Sequence, residues 1–367
     1  MEWTNDSRYN SFNSYKGLTY YENYKAIAAW MSGNQYLPAP IECNLDIFAE
    51  CNLACYFCVG QRYLRTNRTE VGEMRVLPTD YMFRLTDFLV SWGVRGLCIS
   101  GGGEPTLHEA LPHLIRHAAG KMDVAVVTNA TRISSDLAHA LMQCKWVALS
   151  VDAGDPQTYT TVKGKDMFNE VVQNISQLVR LRNGIEPVDL CFKFLLLPEN
   201  IRSMHKACKL AKELGVQDFH ARPVDFERSD IAGHRKLELD RLAILEEFEK
   251  CHEEETKDFH VYTVTHKFDS DFHVKHVFAK CLATPLVIPI LQDGNAYICV
   301  DKKMERPYKL GSCYPDPESI FTWWGSDYHR DVVKSVDIGL CSRCTWSEYN
   351  RQVEETVLKD KMCLSFP

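Results

Sequence analysis

Short apolar runs alternate with amphipathic stretches from about Leu97 onward. Gly96–Ser100, Asp123–Thr128, Trp146–Val151, Val188–Leu197 and Val216–Ala221 are apolar nearly throughout and rich in β-branched or aromatic residues, as strands covered on both faces should be. The segments between them repeat their apolar residues at helical spacing. Met82, Leu85, Leu89 and Trp92 share one face, closed by Gly93. Phe168, Val171, Ile175, Leu178 and Val179 do the same, closed by Gly184, and Ile201–Leu214 is stopped by Gly215. An earlier strand at about Cys43–Phe48 makes six in a β/α alternation. The expected class is α/β, a partial (β/α)6 TIM-like barrel.

After about Phe226 the rhythm breaks. Leu237–Glu255 reads as a strongly acidic helix, expected to be a solvated connector between domains. From Phe259 to Trp346 the chain is irregular and rich in turns and cysteine, with a hairpin expected around Asp293–Gly294. The expected organisation is an aromatic-rich N-terminal extension over 1–40, packed against the barrel, and the barrel itself over 41–235. A linker helix over 236–258, a smaller α+β cysteine-bearing domain over 259–350 and a tail over 351–367 follow.

Composition narrows the classes. The chain has 367 residues, 45% hydrophobic and 25% charged, enough to bury a full core without disulfides and unlike a disordered or fibrous chain. A net charge of −7 argues against a nucleic-acid binder held by phosphate contacts. No apolar run reaches the length of a membrane span, and Met1–Lys16 does not read as a secretory signal. A reducing cytoplasm is therefore expected, where the fifteen cysteines are free thiols, catalytic groups or metal ligands.

Directly after the first strand comes Cys51-Asn52-Leu53-Ala54-Cys55-Tyr56-Phe57-Cys58. Thiols at C-x3-C-x2-C spacing can ligate three irons of a [4Fe–4S] cluster and leave the fourth iron open. Zinc is the alternative, although structural zinc usually takes four ligands and this loop offers three. Here the sequence resembles the radical S-adenosylmethionine (SAM) superfamily, whose signature is C-x3-C-x-aromatic-C, with Phe57 at the aromatic position. The resemblance implies that SAM chelates the open iron and that its reductive cleavage generates a 5′-deoxyadenosyl radical. It also implies an electron donor such as flavodoxin or ferredoxin.

The second strand ends in Ser100-Gly101-Gly102-Gly103-Glu104-Pro105, where glycines let a ligand approach the backbone. This resembles the family's GGEP motif, implying that Gly102, Gly103 and Glu104 hold the SAM ammonium. Thr128 and Asn129 end the third strand, and Ser150 and Asp152 lie at the end of the fourth. Polar residues at strand ends face the mouth of a barrel, which makes all four SAM-contact candidates, and the resemblance implies that Ser150 and Asp152 meet the ribose. Asp155–Gly164 is similar to the family's T-Y-x-x-x-R-G stretch, with Lys163 where arginine is usual, a candidate for the SAM carboxylate.

A second group comprises Cys281, Cys299, Cys341 and Cys344, with Cys313 and Cys363 able to replace one of them. Four thiolates make a complete site for zinc or for a [4Fe–4S] cluster. The pattern C-x12-G-x4-C followed by a distant C-x2-C resembles the twitch domain, a truncated SPASM domain, and implies one auxiliary [4Fe–4S] cluster. The remaining cysteines, Cys43, Cys98, Cys144, Cys191, Cys208 and Cys251, read as buried thiols.

The expected substrate is a small sugar-like or nucleotide-linked molecule, oxidised by two electrons with help from the auxiliary cluster. Lys193, His220, Arg222 and Asp225 are the candidate catalytic residues, because charged groups at barrel-strand ends can anchor or exchange protons. The resemblance includes a GTP cyclase, disfavoured by its C-x2-C-x13-C pattern and Gly-Gly tail, against Leu364-Ser365-Phe366-Pro367 here. Peptide-modifying enzymes carry a leader-binding module that the first forty residues are not expected to supply. Epimerisation, peptide modification, and a non-catalytic Fe–S or zinc redox sensor are the alternatives.

Overall fold

The structure, a computed structural model, describes residues 14–58, 60, 74–182, 188–224, 239–264, 269–270, 272, 275–341 and 344–359. Helix α1 (Tyr21–Met31) precedes strand β1 (Glu42–Asp46), and the β/α alternation then begins with α2 (Thr79–Trp92) and β2 (Gly96–Ser100). It continues through α3 (Leu111–Ala118), β3 (Asp123–Thr128), α4 (Ser135–Leu141) and β4 (Trp146–Ser150). Next come α5 (Pro156–Lys163), α6 (Phe168–Arg182), β5 (Asp189–Leu196), α7 (Met204–Leu214) and β6 (Asp218–Pro223). Helix α8 (Arg241–His252) leads to β7 (His260–Thr263), and β8 (Val287–Ile290), β9 (Asn295–Tyr297) and β10 (Lys309–Ser312) complete one ten-stranded sheet. Helices α9 (Asp327–Lys334) and α10 (Ser347–Gln352) follow.

The sheet order is β10-β9-β8-β1-β2-β3-β4-β5-β6-β7, parallel from β8 through β7. Alternation along each strand divides two surfaces. Leu45, Leu97, Ile99, Val126, Leu149, Phe192 and Phe219 join the apolar core shared with the helices. Each such side chain contributes about 1.5–3 kcal/mol on burial. Their neighbours Asn44, Asp46, Cys98, Ser100, Ser150, Lys193 and His220 stand outside that core, on the opposite, inner face. Helix α2 buries Tyr81, Met82, Leu85 and Leu89 and ends at Gly93, whose φ of +105° favours glycine.

Two expectations change. The acidic segment is not a connector between domains: α8 is the crossover from β6 to β7, and Ala243, Ile244, Phe248 and Cys251 are buried at helical spacing. Its charges occupy the outer positions, and the one buried carboxylate, Glu247, accepts from the His205 amide and from Lys250. Its crossover adds a seventh parallel strand beyond β6, and β8 lies parallel to β1 at the other side, so the sheet continues without a break into residues 260–312.

The N-terminal aromatics pack against the C-terminal region. Trp30 is wholly buried, donates to the Gly325 carbonyl at 2.7 Å and lies 4.8 Å from the His329 ring. Tyr24 donates to Gln352 at 3.2 Å.

Candidate active site

The cysteine loop follows β1 directly and lies at the C-terminal ends of the strands. Asn52 and Asn129 fasten it to the end of β3: Asn129 Nδ2 donates to Asn52 Oδ1 at 3.0 Å and lies 3.8 Å from Cys51 Sγ, while Asn52 Nδ2 donates to Thr131 Oγ1 at 2.8 Å. Asn129 Oδ1 in turn accepts from the Thr131 amide and hydroxyl. The three thiols are partly buried and near enough to repel one another as thiolates. Burial pushes the Cys51 thiol up, and pushes Cys55 up to about 12 against the opposing pull of the Lys163 ammonium. Among the described residues no three such side chains converge on a single-ion site; a cubane cluster instead takes one thiolate at each of several iron corners.

The glycine turn after β2 packs backbone to backbone on this loop. Gly103 and Glu104 amides donate to the Phe48 and Glu50 carbonyls at 3.1 and 2.8 Å. A Cβ on Gly103 would sit 2.1 Å from the Glu50 oxygen, and one on Gly60 2.1 Å from the Gly102 oxygen. Only glycine permits that approach. Glu104 is buried, and its carboxylate accepts from the Thr106 amide at 3.1 Å, the Thr106 hydroxyl at 2.8 Å, the Thr128 hydroxyl at 2.6 Å and the Asn129 amide at 2.7 Å. Burial raises its pKa while these donors oppose the rise. Glu104 and Thr128 thus bind each other, tying β2 to β3.

Asp152, at φ +60° and fully buried, pairs with the equally buried Lys163. Its second oxygen accepts from the Leu195 amide at 2.8 Å, and its carbonyl accepts from Asn200 at 2.9 Å. Lys163 Nζ also stands 5.7 Å from the Phe57 ring centre. Burial works against its charge, but Asp152 and the neighbouring Cys55 outweigh it and hold the pKa above the ordinary lysine value. The resemblance separates these two residues into a ribose and a carboxylate contact; the structure brings them together as one ion pair beside Cys55. Asn52, Thr131 and Asn200, all part of this frame, carry no motif, and only their proximity reveals them.

The inner face holds a polar row. Ser150, Lys193, His220 and Tyr262 occupy one register across β4 to β7, with Lys193 Nζ in contact with His220 Nδ1. Arg222 stands two residues further along β6, and Asp225 lies outside the described residues.

The second cysteine group comes from three segments. Cys281 precedes β8, Cys299 follows β9, and Cys341 and Cys344 precede α10. Burial raises the Cys281, Cys299 and Cys341 thiols, and Cys281 feels both Cys344 and Cys341, as Cys299 feels Cys281 and Cys344. Asn350 holds the frame: its Oδ1 accepts from the Leu282 and Ala283 amides at 2.5 and 2.7 Å, and its Nδ2 lies 3.6 Å from Cys344 Sγ. Cys313 is elsewhere, buried with its thiol 3.1 Å from the Gly294 carbonyl. Cys363 lies outside the described residues.

Residues 46–211 match the family model for the Radical SAM superfamily, and the chain carries a radical SAM domain. A probable GTP 3′,8-cyclase of Metallosphaera sedula is 25% identical over 215 residues, spanning 55% of this chain and 64% of that protein. One of Saccharolobus solfataricus is 27% identical over 174 residues, spanning 46% of this chain and 52% of that protein. The chain thus matches only part of these relatives' length. Streptococcus suis SuiB bound to S-adenosylmethionine superposes with a TM-score of 0.63 at 16% identity, covering 90% of this chain and 75% of that one. AnSMEcpe with bound AdoMet does so at 0.60 and 16%, covering 85% and 88%. These likenesses show the fold, an α/β partial barrel with a C-terminal domain. The domain implies SAM and a [4Fe–4S] cluster, and the C-terminal cysteines allow an auxiliary cluster and are compatible with a twitch domain.

Proposed function

We propose that this chain cleaves SAM reductively and abstracts hydrogen from a small sugar-like or nucleotide-linked substrate, completing a two-electron oxidation with one auxiliary [4Fe–4S] cluster. The observation that carries the reading is the convergence of the Cys51–Cys58 loop, the glycine turn and the Asp152–Lys163 pair at the ends of adjacent strands, with a second group of four thiols on the same sheet. When bound, the cluster and SAM supply the electron and the 5′-deoxyadenosyl radical; a low-potential donor such as flavodoxin would reduce the cluster.

In this reading Cys51, Cys55 and Cys58 ligate three irons, and Lys163 beside Cys55 favours its thiolate. Phe57 covers the Lys163 ammonium. Gly102 and Gly103 offer bare backbone to the SAM amino group, and Glu104, through Thr128 and Asn129, holds that turn in place. Ser150 and Asp152 edge the ribose site. Lys193, His220 and Arg222 anchor substrate or carry protons from the inner face, and Asp225 remains a fourth candidate from the sequence. Cys281, Cys299, Cys341 and Cys344 close the auxiliary site, leaving it an electron acceptor.

Anaerobic reconstitution tests this. About eight irons per chain and reductant-dependent 5′-deoxyadenosine are expected; about four irons would remove the auxiliary cluster, and no SAM cleavage would remove the enzyme reading. Deuterium transfer from candidate substrates into 5′-deoxyadenosine then identifies the molecule and carbon attacked. The relatives' names favour a second reading, ring closure of GTP. A cyclised product formed without oxidation keeps the mass of GTP, whereas an oxidised one lacks two hydrogens.

A further inference from the structure

Two lysines follow Cys299 in the second cysteine group, and they part at once. Lys303 reaches the inner face of the barrel, where its Nζ meets Asp46 Oδ1 at 2.8 Å. Lys302 stays with the cysteines and is buried, at 8% exposure. Its amide donates to the Cys299 carbonyl at 3.1 Å, closing a tight turn on that cysteine. Within the same turn the Asp301 amide lies 3.4 Å from Cys299 Sγ, and Asp301 Oδ2 accepts from the Thr345 amide and hydroxyl at 3.3 and 3.1 Å. Thr345 adjoins Cys344, so the turn is clamped to the segment that carries the C-x2-C pair.

The Lys302 ammonium is held in place. Its Nζ lies 3.3 Å from Glu305 Oε2 and 4.8 Å from the Tyr308 ring centre. Burying an ammonium is costly unless negative charge answers it. Glu305 answers only in part, because its own side chain is 26% exposed. The thiols are the other neighbours. Burial raises the Cys341 thiol, and among the charges acting on it the Lys302 ammonium is the strongest, favouring the thiolate against Asp301, Glu305 and Asp337.

A [4Fe–4S] cluster gains one negative charge on reduction, and its potential follows the charge and hydrogen bonds around it. A fixed cation beside the four thiolates therefore favours the reduced form. We propose that Lys302 is a positioning residue of the auxiliary site, whose ammonium stabilises the reduced auxiliary cluster and so draws the electron from the substrate radical. This rests on the auxiliary cluster proposed above and adds what makes it an acceptor. In that oxidation the substrate C–H bond gives its hydrogen atom to the 5′-deoxyadenosyl radical. The carbon radical gives one electron to the oxidised auxiliary cluster, its hydroxyl proton leaves to solvent, and a C=O bond forms. The electron then passes to the oxidised form of a flavodoxin or ferredoxin.

The test is an anaerobic redox titration, read by electron paramagnetic resonance, on the full chain carrying Cys51→Ala, Cys55→Ala and Cys58→Ala. This parent leaves the auxiliary cluster as the one signal, and about four irons per chain checks its loading. At the potential where the parent is half reduced, Lys302→Met should lower the ratio of reduced to oxidised cluster about tenfold, about 59 mV for a one-electron couple. Lys302→Arg keeps the charge and should stay close to the parent. Glu305→Gln removes an opposing charge and should raise the ratio, whereas a merely structural ion pair would move both variants the same way or neither. An unmoved ratio in iron-loaded Lys302→Met overturns the proposal. Should that variant fail to load, an unmoved or lowered ratio in Glu305→Gln overturns it. A parent that holds no iron removes the auxiliary cluster and this proposal with it; a loaded parent with an unmoved ratio overturns the role of Lys302 alone and leaves the proposed function standing.

Discussion

At the scale of single residues, the frame around the cysteines is polar and buried, and it fails in ways that depend on which partner is removed. Replacing Lys163 by Met leaves Asp152 charged, buried and unpaired, which should cost about 3–5 kcal/mol. Replacing both, as Lys163→Met with Asp152→Asn, removes the orphaned charge while asparagine tolerates the positive φ and keeps an acceptor for the Leu195 amide, and should cost less than Lys163→Met alone. Denaturant unfolding of the two variants measures this, and a larger loss in the double variant would mean that the pair does more than neutralise itself. Asn350→Leu should release two backbone amides, those of Leu282 and Ala283, at about 1–3 kcal/mol each. Because the same side chain lies on Cys344, the auxiliary iron should fall while the first cluster stays, so the iron count should drop from about eight toward four.

At the scale of elements, the close contact of two loops decides the site. The glycine turn after β2 and the cysteine loop after β1 share backbone hydrogen bonds, and at Gly103 there is no room for a side chain. Gly103→Ala should therefore push the two loops apart and abolish SAM-dependent spectral change of the cluster, while far-UV circular dichroism of the barrel is kept. A variant that still binds SAM normally would show that the loops can separate without consequence. The strands and helices themselves were legible because period-2 and period-3.6 patterns are imposed by burial against one neighbouring layer. Strand bounds such as Gly96–Ser100 and Asp123–Thr128 agree with the sequence reading. The acidic helix differs from its expected role because charge density along the chain hides a narrow buried stripe, Ala243, Ile244, Phe248 and Cys251, that only packing exposes.

At the scale of the whole molecule, the two ends of the described residues come together. Helix α1 and the segment around His329 share a core in which Trp30 lies against His329. Burial holds the His329 pKa down to about 3, while the unfolded residue titrates near 6.5. The folded pKa is the lower one, so this site's contribution to stability is complete above about pH 6.5 and is lost as pH falls, at up to about 1.4 kcal/mol per pH unit until the folded pKa is reached. Unfolding followed by tryptophan fluorescence between pH 4 and pH 7 should show this slope, and His329→Gln should flatten it. An unchanged slope would place the acid sensitivity elsewhere.

What the sequence alone determined is the chemistry that depends on spacing along the chain. C-x3-C-x2-C sits on one loop, and Gly101-Gly102-Gly103 on one turn, so their character is local and readable. Strand order and the seventh strand, the saturation of Glu104 by four donors, the union of Asp152 with Lys163, and the meeting of Asp46 with Lys303 were decided only by the tertiary structure. The separations run from 11 positions for Asp152 and Lys163, through 24 for Glu104 and Thr128, to 257 for Asp46 and Lys303. Such pairings leave no period and no motif, because hydrogen bonds and charges are satisfied in space, by whichever partner the packed layers bring within reach.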